Sequence, residues 1–357
     1  MHKPKLPRTF APLLCALAVS AASAAEPAPS LNAEVRQTVI QQLSARLRTD
    51  YVFPKVAEAM IASLQTESRQ GRFDAMTEGP AFADSLTQSL QAVSQDKHLR
   101  VRFHAQPQPE RQDAAVPTPV ELAEQARQNR RSNHGVSKVE RLTGNIGYLK
   151  LDAFVTASDS ARETAAATMN LLANTDALII DLRENGGGDP EMVQLWCSYL
   201  FGPTPVHLND LYFRIPDRTE AFWTLKDVAG KRYLDKPVWV LTAKRTFSGA
   251  EEFSYNLKNL KRATLVGEST GGGAHPGDVV RLHPHFSAFI ANGRAINPIT
   301  GSNWEGTGVK PDIAVPAADA LRTAHRLTLE QLAKSAQDSQ LRQEAQTALQ
   351  ALDKARS

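Results

Sequence analysis

From Gly144 onward the chain changes texture. Four short apolar runs, Ile146–Leu151, Ala177–Leu182, Val238–Thr242 and Ala263–Glu268, alternate with helical stretches near Ser158–Ala173, Met192–Leu200 and Gly249–Leu260. Strands alternating with helices predict an α/β unit over residues 144–316, with a mainly parallel sheet and crossover helices. In such sheets the chemistry sits in loops beyond the carboxyl ends of the strands. The upstream half follows a different period. Val35, Val39, Ile40, Leu43 and Leu47 recur at three- and four-residue spacings, and Pro54, Gly71 and Gly79-Pro80 interrupt the pattern. That predicts an N-terminal helical domain of three or four helices over 25–104. Leu99–Phe103 alternates as a strand. Residues 105–143 read as a proline-rich linker and a polar helix near Val120–Arg131, and 317–357 as a polar helical tail.

The first 24 residues belong to a different problem. Lys3, Lys5 and Arg8 precede a short apolar run, Phe10 to Ala21, and Ala22-Ser23-Ala24 is a small-x-small cleavage site. This is the pattern of a secretory signal peptide, and the run is shorter than a membrane-spanning helix needs. Leu14 precedes Cys15 where lipidation would call for a small residue. The expected address is the periplasm or the medium, with no membrane anchor in the mature chain. Removing residues 1–24 leaves 38 basic and 38 acidic residues. A nucleic-acid binder relies on a basic surface, so that class falls away. The one remaining cysteine, Cys197, lies in an apolar run and reads as a buried thiol.

Three loops after strands carry the candidate chemistry. Asp181–Gly188 ends in three glycines, whose backbone can approach a ligand and aim N–H groups at it. No Lys-Ser/Thr follows, so it is not a phosphate-binding P-loop. Thr246–Glu252 places Ser248 where a helix should begin, with Glu251 three positions on. Ser-x-x-Glu is a capping box, and its serine has a purely structural explanation. The other reading is a nucleophilic hydroxyl at a helix N-terminus, where free N–H groups favour developing negative charge. Gly267–His275 is again glycine-rich, with Gly272 and Gly273 suggesting a substrate loop and His275 a candidate acid/base. His283 and His285 alternate as on a strand face but lack an evident third partner, so no metal site is expected.

Taken together, these loops resemble the S41 family of serine peptidases, the C-terminal processing peptidases and their relatives. The resemblance rests on Gly147-Tyr148 leading to Phe154, Asp181–Gly188, Thr246–Glu252 with Leu257–Arg262, Val266–Gly273, and Gly308–Ile313, in the family's order over about half the chain. It implies a ClpP/crotonase-like fold. Tyr51-Val52-Phe53-Pro54 in the helical part is similar to the branch containing the repeats of interphotoreceptor retinoid-binding protein. Two departures matter. No lysine occurs between Lys261 and Lys310, which excludes the Ser-Lys dyad with a downstream lysine. Phe103 to Arg141 is too short for a PDZ domain. The resemblance to tricorn-like members then implies Ser248 as nucleophile, His98 as base and Glu305 as the residue orienting it. Backbone N–H groups of Gly187 or Gly188 and of Gly249 would form the oxyanion hole. His275 stays open as a rival base. The expected function is hydrolysis of a peptide or protein substrate without a cofactor. A non-catalytic binding protein for an apolar ligand, like the retinoid-binding relatives, is the alternative.

Overall fold

A computed structural model of the chain describes residues 31–108 and 118–354. The leader and the proline-rich stretch 109–117 lie outside the described residues. Helices α1 (Ala33–Asp50), α2 (Pro54–Arg69) and α3 (Gly79–Ser94) occupy the N-terminal part. Asn32 caps α1 by accepting the Val35 N–H at 2.9 Å. Pro54 and Pro80 stand in the first turns of α2 and α3, where a missing N–H has no intrahelical partner to lose. After α3, strand β1 (Arg100–Phe103) leads to helix α4 (Pro119–Arg131).

The α/β unit then follows the sequence pattern. Strands β2 (Val136–Leu142), β3 (Ile146–Leu151) and β4 (Ala177–Asp181) flank helix α5 (Asp159–Leu172), and α6 (Pro190–Ser198) follows β4. A hairpin of β5 (His207–Phe213) and β6 (Arg218–Trp223) intervenes before β7 (Val238–Thr242), α7 (Gly249–Asn259) and β8 (Thr264–Gly267). A second hairpin, β9 (Gly277–His283) and β10 (Phe286–Ala291), precedes β11 (Gly293–Ile296), β12 (Ile313–Ala314), α8 (Ala317–Ser335) and α9 (Ser339–Lys354).

The main sheet has the order β12-β8-β7-β4-β3-β2, parallel except for the β2–β3 pair. Alternate residues of its strands face opposite ways. Leu149, Leu178, Ile180, Val240 and Leu265 join the core built by α5, α6 and α7. Tyr148, Ile179, Trp239, Leu241 and Val266 face Ala320, Ala324, Leu329, Ala345 and Ala348 of α8 and α9. Helix α8 thus covers one face of the sheet, and α9 packs on α8.

The N-terminal helices share their core with distant chain. Val39, Leu43, Leu47, Met60, Leu64, Phe82, Leu86 and Leu90 pack with Val280, Leu282, Phe286, Ala288 and Ile290 of the β9–β10 hairpin. Strand β1 extends that hairpin antiparallel, with Val101 opposite Ala288. His283 ends β9 and His285 lies in the turn before β10, so they do not share one strand face. The His285 ring is instead bound by its Nδ1 to the His104 carbonyl oxygen at 2.8 Å.

Candidate active site

The turn between β7 and α7 is held rigidly. Thr246 is fully buried; its hydroxyl donates to the Leu182 carbonyl oxygen at 2.8 Å and accepts the Ala243 N–H at 3.0 Å. Ser248 follows as the N-cap of α7 with φ 53° and ψ −122°. An ordinary cap is extended. A non-glycine residue in this region costs about 1–3 kcal/mol, and such strain persists where the surroundings over-determine it. The glutamate half of the expected capping box is made: Glu251 Oε2 accepts the Ser248 N–H at 2.9 Å. The Glu251 N–H goes to the Ser248 carbonyl oxygen at 2.8 Å.

Glu251 does more than cap. Its buried carboxylate also accepts the Thr270 hydroxyl at 2.5 Å and the N–H groups of Gly272 at 2.6 Å and Gly273 at 2.8 Å. One side chain therefore ties the Ser248 turn to the glycine loop after β8. Burial pushes its pKa up, even against these four donors.

The glycines after β4 press on the same turn. A Cβ on Gly187 (φ +102°) would stand 2.8 Å from Ser248 Cβ and 2.7 Å from the Gly249 nitrogen. Gly188 has φ +141°, and a Cβ there would overlap the Phe154 carbonyl oxygen. Both positions demand glycine. The Gly187 N–H is already given to Asn185 Oδ1 at 2.8 Å, which removes it from the expected oxyanion donors. Among the described residues, the N–H groups of Gly188 and Gly249 have no backbone acceptor. They stand on either side of a close approach, since a Cβ on Gly249 would lie 3.2 Å from the Gly188 nitrogen.

The second half of the site comes from the N-terminal part. Gln95, in the left-handed conformation, ends α3 and turns the chain into Asp96-Lys97-His98. Asp96 is fully buried, and its Oδ1 accepts the His98 main-chain N–H at 2.9 Å. Its Oδ2 accepts the Tyr51 hydroxyl and faces His275 Nδ1, each at 3.2 Å. Burial raises the Asp96 carboxyl, but the hydrogen bond and charge of His275 outweigh it and hold it below the usual value. Tyr51 is pushed up, first by burial and then by Asp96.

His98 is packed between Phe247 and Phe289, with ring centroids 4.5 Å and 5.6 Å away. Burial lowers its pKa to about 4 against the pull of Asp96, so the ring is neutral at neutral pH. Glu305 lies in the turn before β12. Its Oε2 accepts the Ala274 N–H at 2.5 Å and is 3.5 Å from His275 Nδ1. Burial raises the Glu305 pKa to about 7; Asp96 adds to the rise and His275 opposes it. One donor atom each of Asp96, His98 and Glu305 lies within 4.8 Å of the others.

The expected residues thus converge in two linked groups. Ser248 packs against Gly187 and precedes Gly249, which in turn closely approaches Gly188. His98, Glu305 and His275 gather around Asp96. Phe247, next to Ser248, touches His98, and Gly273 bridges as well, since a Cβ there would be 2.6 Å from His98 Cε1. Among the described residues no hydrogen bond joins Ser248 to His98, and none joins Glu305 to His98. Catalytic contacts are commonly long before substrate binds. Asp96, Tyr51 and Glu251 are the members that sequence reasoning did not assign to the site. For Asp96 the available signal was an acidic residue two positions from the candidate base.

Residues 145–315 match Peptidase family S41, and residues 18–133 match the N-terminal domain of Peptidase S41 in eukaryotic IRBP. The chain is 29% identical over 174 residues to carboxyl-terminal-processing peptidase 2, chloroplastic, of Arabidopsis thaliana, a match covering 48% of this chain and 32% of that protein. The chain therefore spans about a third of the length of that relative. Mature CPAF superposes with a TM-score of 0.57 at 14% identity, over 83% of this chain and 97% of CPAF. A protein described as a peptidase candidate from Parabacteroides merdae gives 0.57 at 18% identity, over 83% and 97%. These two structures share the fold.

Proposed function

The chain belongs to peptidase family S41, and from that premise we propose that it is an exported serine peptidase acting through Ser248, His98 and Glu305. Ser248 Oγ attacks a peptide carbonyl carbon while His98 takes the hydroxyl proton. The carbonyl oxygen, now negative, is received by the N–H groups of Gly188 and Gly249. Each such donor is worth roughly 3 kcal/mol in the transition state. The C–N bond then breaks, His98 returns the proton to the leaving amine, and the acyl group stays on Ser248. A water molecule, deprotonated by His98, attacks the acyl carbon; the bond to Ser248 Oγ breaks, His98 returns the proton to that oxygen, and the acid product leaves. Glu305 orients the His98 ring, and the Asp96 carboxylate supplies negative charge that steadies the imidazolium during each transfer. The substrate is a peptide or protein, and no cofactor takes part. The export signal in residues 1–24 lies outside the described residues; among the described ones, no helix is long and apolar enough to cross a membrane.

One observation carries this reading. Ser248 is held at a strained φ of 53° on a helix N-terminus, against two glycine N–H groups without backbone acceptors. A serine serving only as a cap has no reason to bear that strain. The test is labelling of the purified protein with a fluorophosphonate probe, beside Ser248→Ala. Labelling of the wild type that vanishes in the variant is expected, with His98→Ala lowering turnover by about 10⁴-fold. An unlabelled but well-folded wild type would sink the proposal. So would a His275→Ala variant that is inactive while His98→Ala is not.

A further inference from the structure

Two buried polar atoms at the base lack a protein partner: His98 Nδ1 and Glu305 Oε1. A buried donor or acceptor left unmade costs about 1–3 kcal/mol, and here two occur in one small cluster. Beside them is Asp96, fully buried, whose Oδ1 accepts a single hydrogen bond from the His98 main chain. One donor atom from each of these three side chains falls within 4.8 Å of the other two. The cluster therefore brings two carboxylates and an imidazole together, with Phe247 and Phe289 against the imidazole ring.

From this arrangement we propose that Asp96, His98 and Glu305 form a binding site for a divalent transition-metal cation, and that the cation shuts the peptidase off. The inhibitory consequence rests on the peptidase reading above; the binding does not. Two neighbouring buried carboxylates repel, and a dication between them removes that penalty. The donor set selects the metal. Imidazole with carboxylates suits zinc and its first-row neighbours, whereas magnesium and calcium take oxygen ligands. Tetrahedral zinc with ligands at about 2.1 Å keeps its donors roughly 3.4 Å apart. The cluster must close by an ångström or so. That movement requires Glu305 Oε2 to leave the Ala274 N–H, which holds it at 2.5 Å; its Oε1 is not held by any protein group.

An outer layer is already in place. Tyr51 donates to Asp96, and His275 Nδ1 faces both Asp96 and Glu305 at 3.2 and 3.5 Å. Partners of this kind orient metal ligands and raise affinity. A cation bound to the His98 ring and to Glu305 withdraws electron density from the imidazole and holds it away from proton exchange with Ser248. Inhibition would be reversible, since no covalent bond changes.

The test uses zinc chloride and the intact chain. Zinc binding is measured by competition with a chromophoric chelator on the wild type and on Ser248→Ala, His98→Ala, Asp96→Asn and Glu305→Gln, each checked by thermal melting. One zinc per chain is expected for the wild type and for Ser248→Ala. Affinity should fall at least about tenfold in each of the other three. Fluorophosphonate labelling of the wild type should fall in step with zinc occupancy and return with EDTA. No stoichiometric zinc, or affinity unchanged by Glu305→Gln in a folded variant, overturns the site. Zinc bound at the site with labelling undiminished overturns the inhibition. Zinc bound there by a protein whose Ser248 is never labelled would uphold the metal site and reject the peptidase reading.

Discussion

Glu252, one turn into α7 below Ser248, offers a quantitative test of how this helix is held. It is buried with 5% of its surface exposed, and burial raises its pKa from 4.5 to about 7. The amides of Asn209 and Asn256 pull weakly the other way, and the Asn209 amide makes no hydrogen bond of normal geometry. A folded pKa above the unfolded one means that the native state holds the proton more tightly. The contribution is then fully present below pH 4.5 and is lost as pH rises through about 7. At 1.36 kcal/mol per pH unit, the ionised form costs about 3 kcal/mol in the fold, an upper figure. Glu252→Gln keeps the shape and removes the ionisation. Urea unfolding at intervals from pH 4.5 to 8.5 should show the variant gaining on the wild type by about 2–3 kcal/mol at the alkaline end. Near pH 4.5 the two should agree. Glu305 titrates in the same window and with the same sign, so the difference between the two proteins, not the wild-type slope, is the quantity to read. A variant less stable than wild type at pH 8, or a difference that does not change with pH, would refute the reasoning.

The neighbouring acid should behave oppositely. Glu251→Gln turns one acceptor oxygen into a donor facing main-chain N–H groups, so it should lose about 1–3 kcal/mol by urea unfolding and lower probe labelling of Ser248. Gly188→Ala puts a Cβ onto the Phe154 carbonyl oxygen at φ +141°. Differential scanning calorimetry should show a drop of at least about 1–3 kcal/mol, with labelling nearly abolished; a variant as stable and as reactive as wild type would contradict the glycine argument.

Much of this architecture could be read locally. The four apolar runs became β3, β4, β7 and β8, because a strand buried on both faces leaves an uninterrupted apolar signature. The three helices broken at Pro54 and Gly79-Pro80 followed from spacing and punctuation. The hairpins β5–β6 and β9–β10 were not assigned. Their burial differs from strand to strand: β6 has no buried residue, whereas β10 is buried at all but one position. Ser248 was placed correctly at the helix start, but its φ is set by tertiary contacts with Gly187 and Glu251, and no local pattern encodes it. The Asp96–His275 contact joins residues 179 positions apart, and the roles of Tyr51 and Asp96 depend on that approach. The Gly187 N–H was lost to Asn185 for a reason visible only once the loop is folded.

The core shared by α1–α3 and the β9–β10 hairpin has a consequence in time. The parts of the site run from Asp96 through Ser248 to Glu305, and the segment bearing His98 can dock only against strands made almost two hundred residues later. A chain emerging N-terminus first can form its helices and even the first glycine loop, yet it carries no assembled centre. Contacts this distant in sequence form late, after the cost of closing the loop has been met. For the peptidase proposed above, late assembly is protection. The emerging chain, and the machinery handling it, are not exposed to a working catalyst until the segment bearing Glu305 has followed.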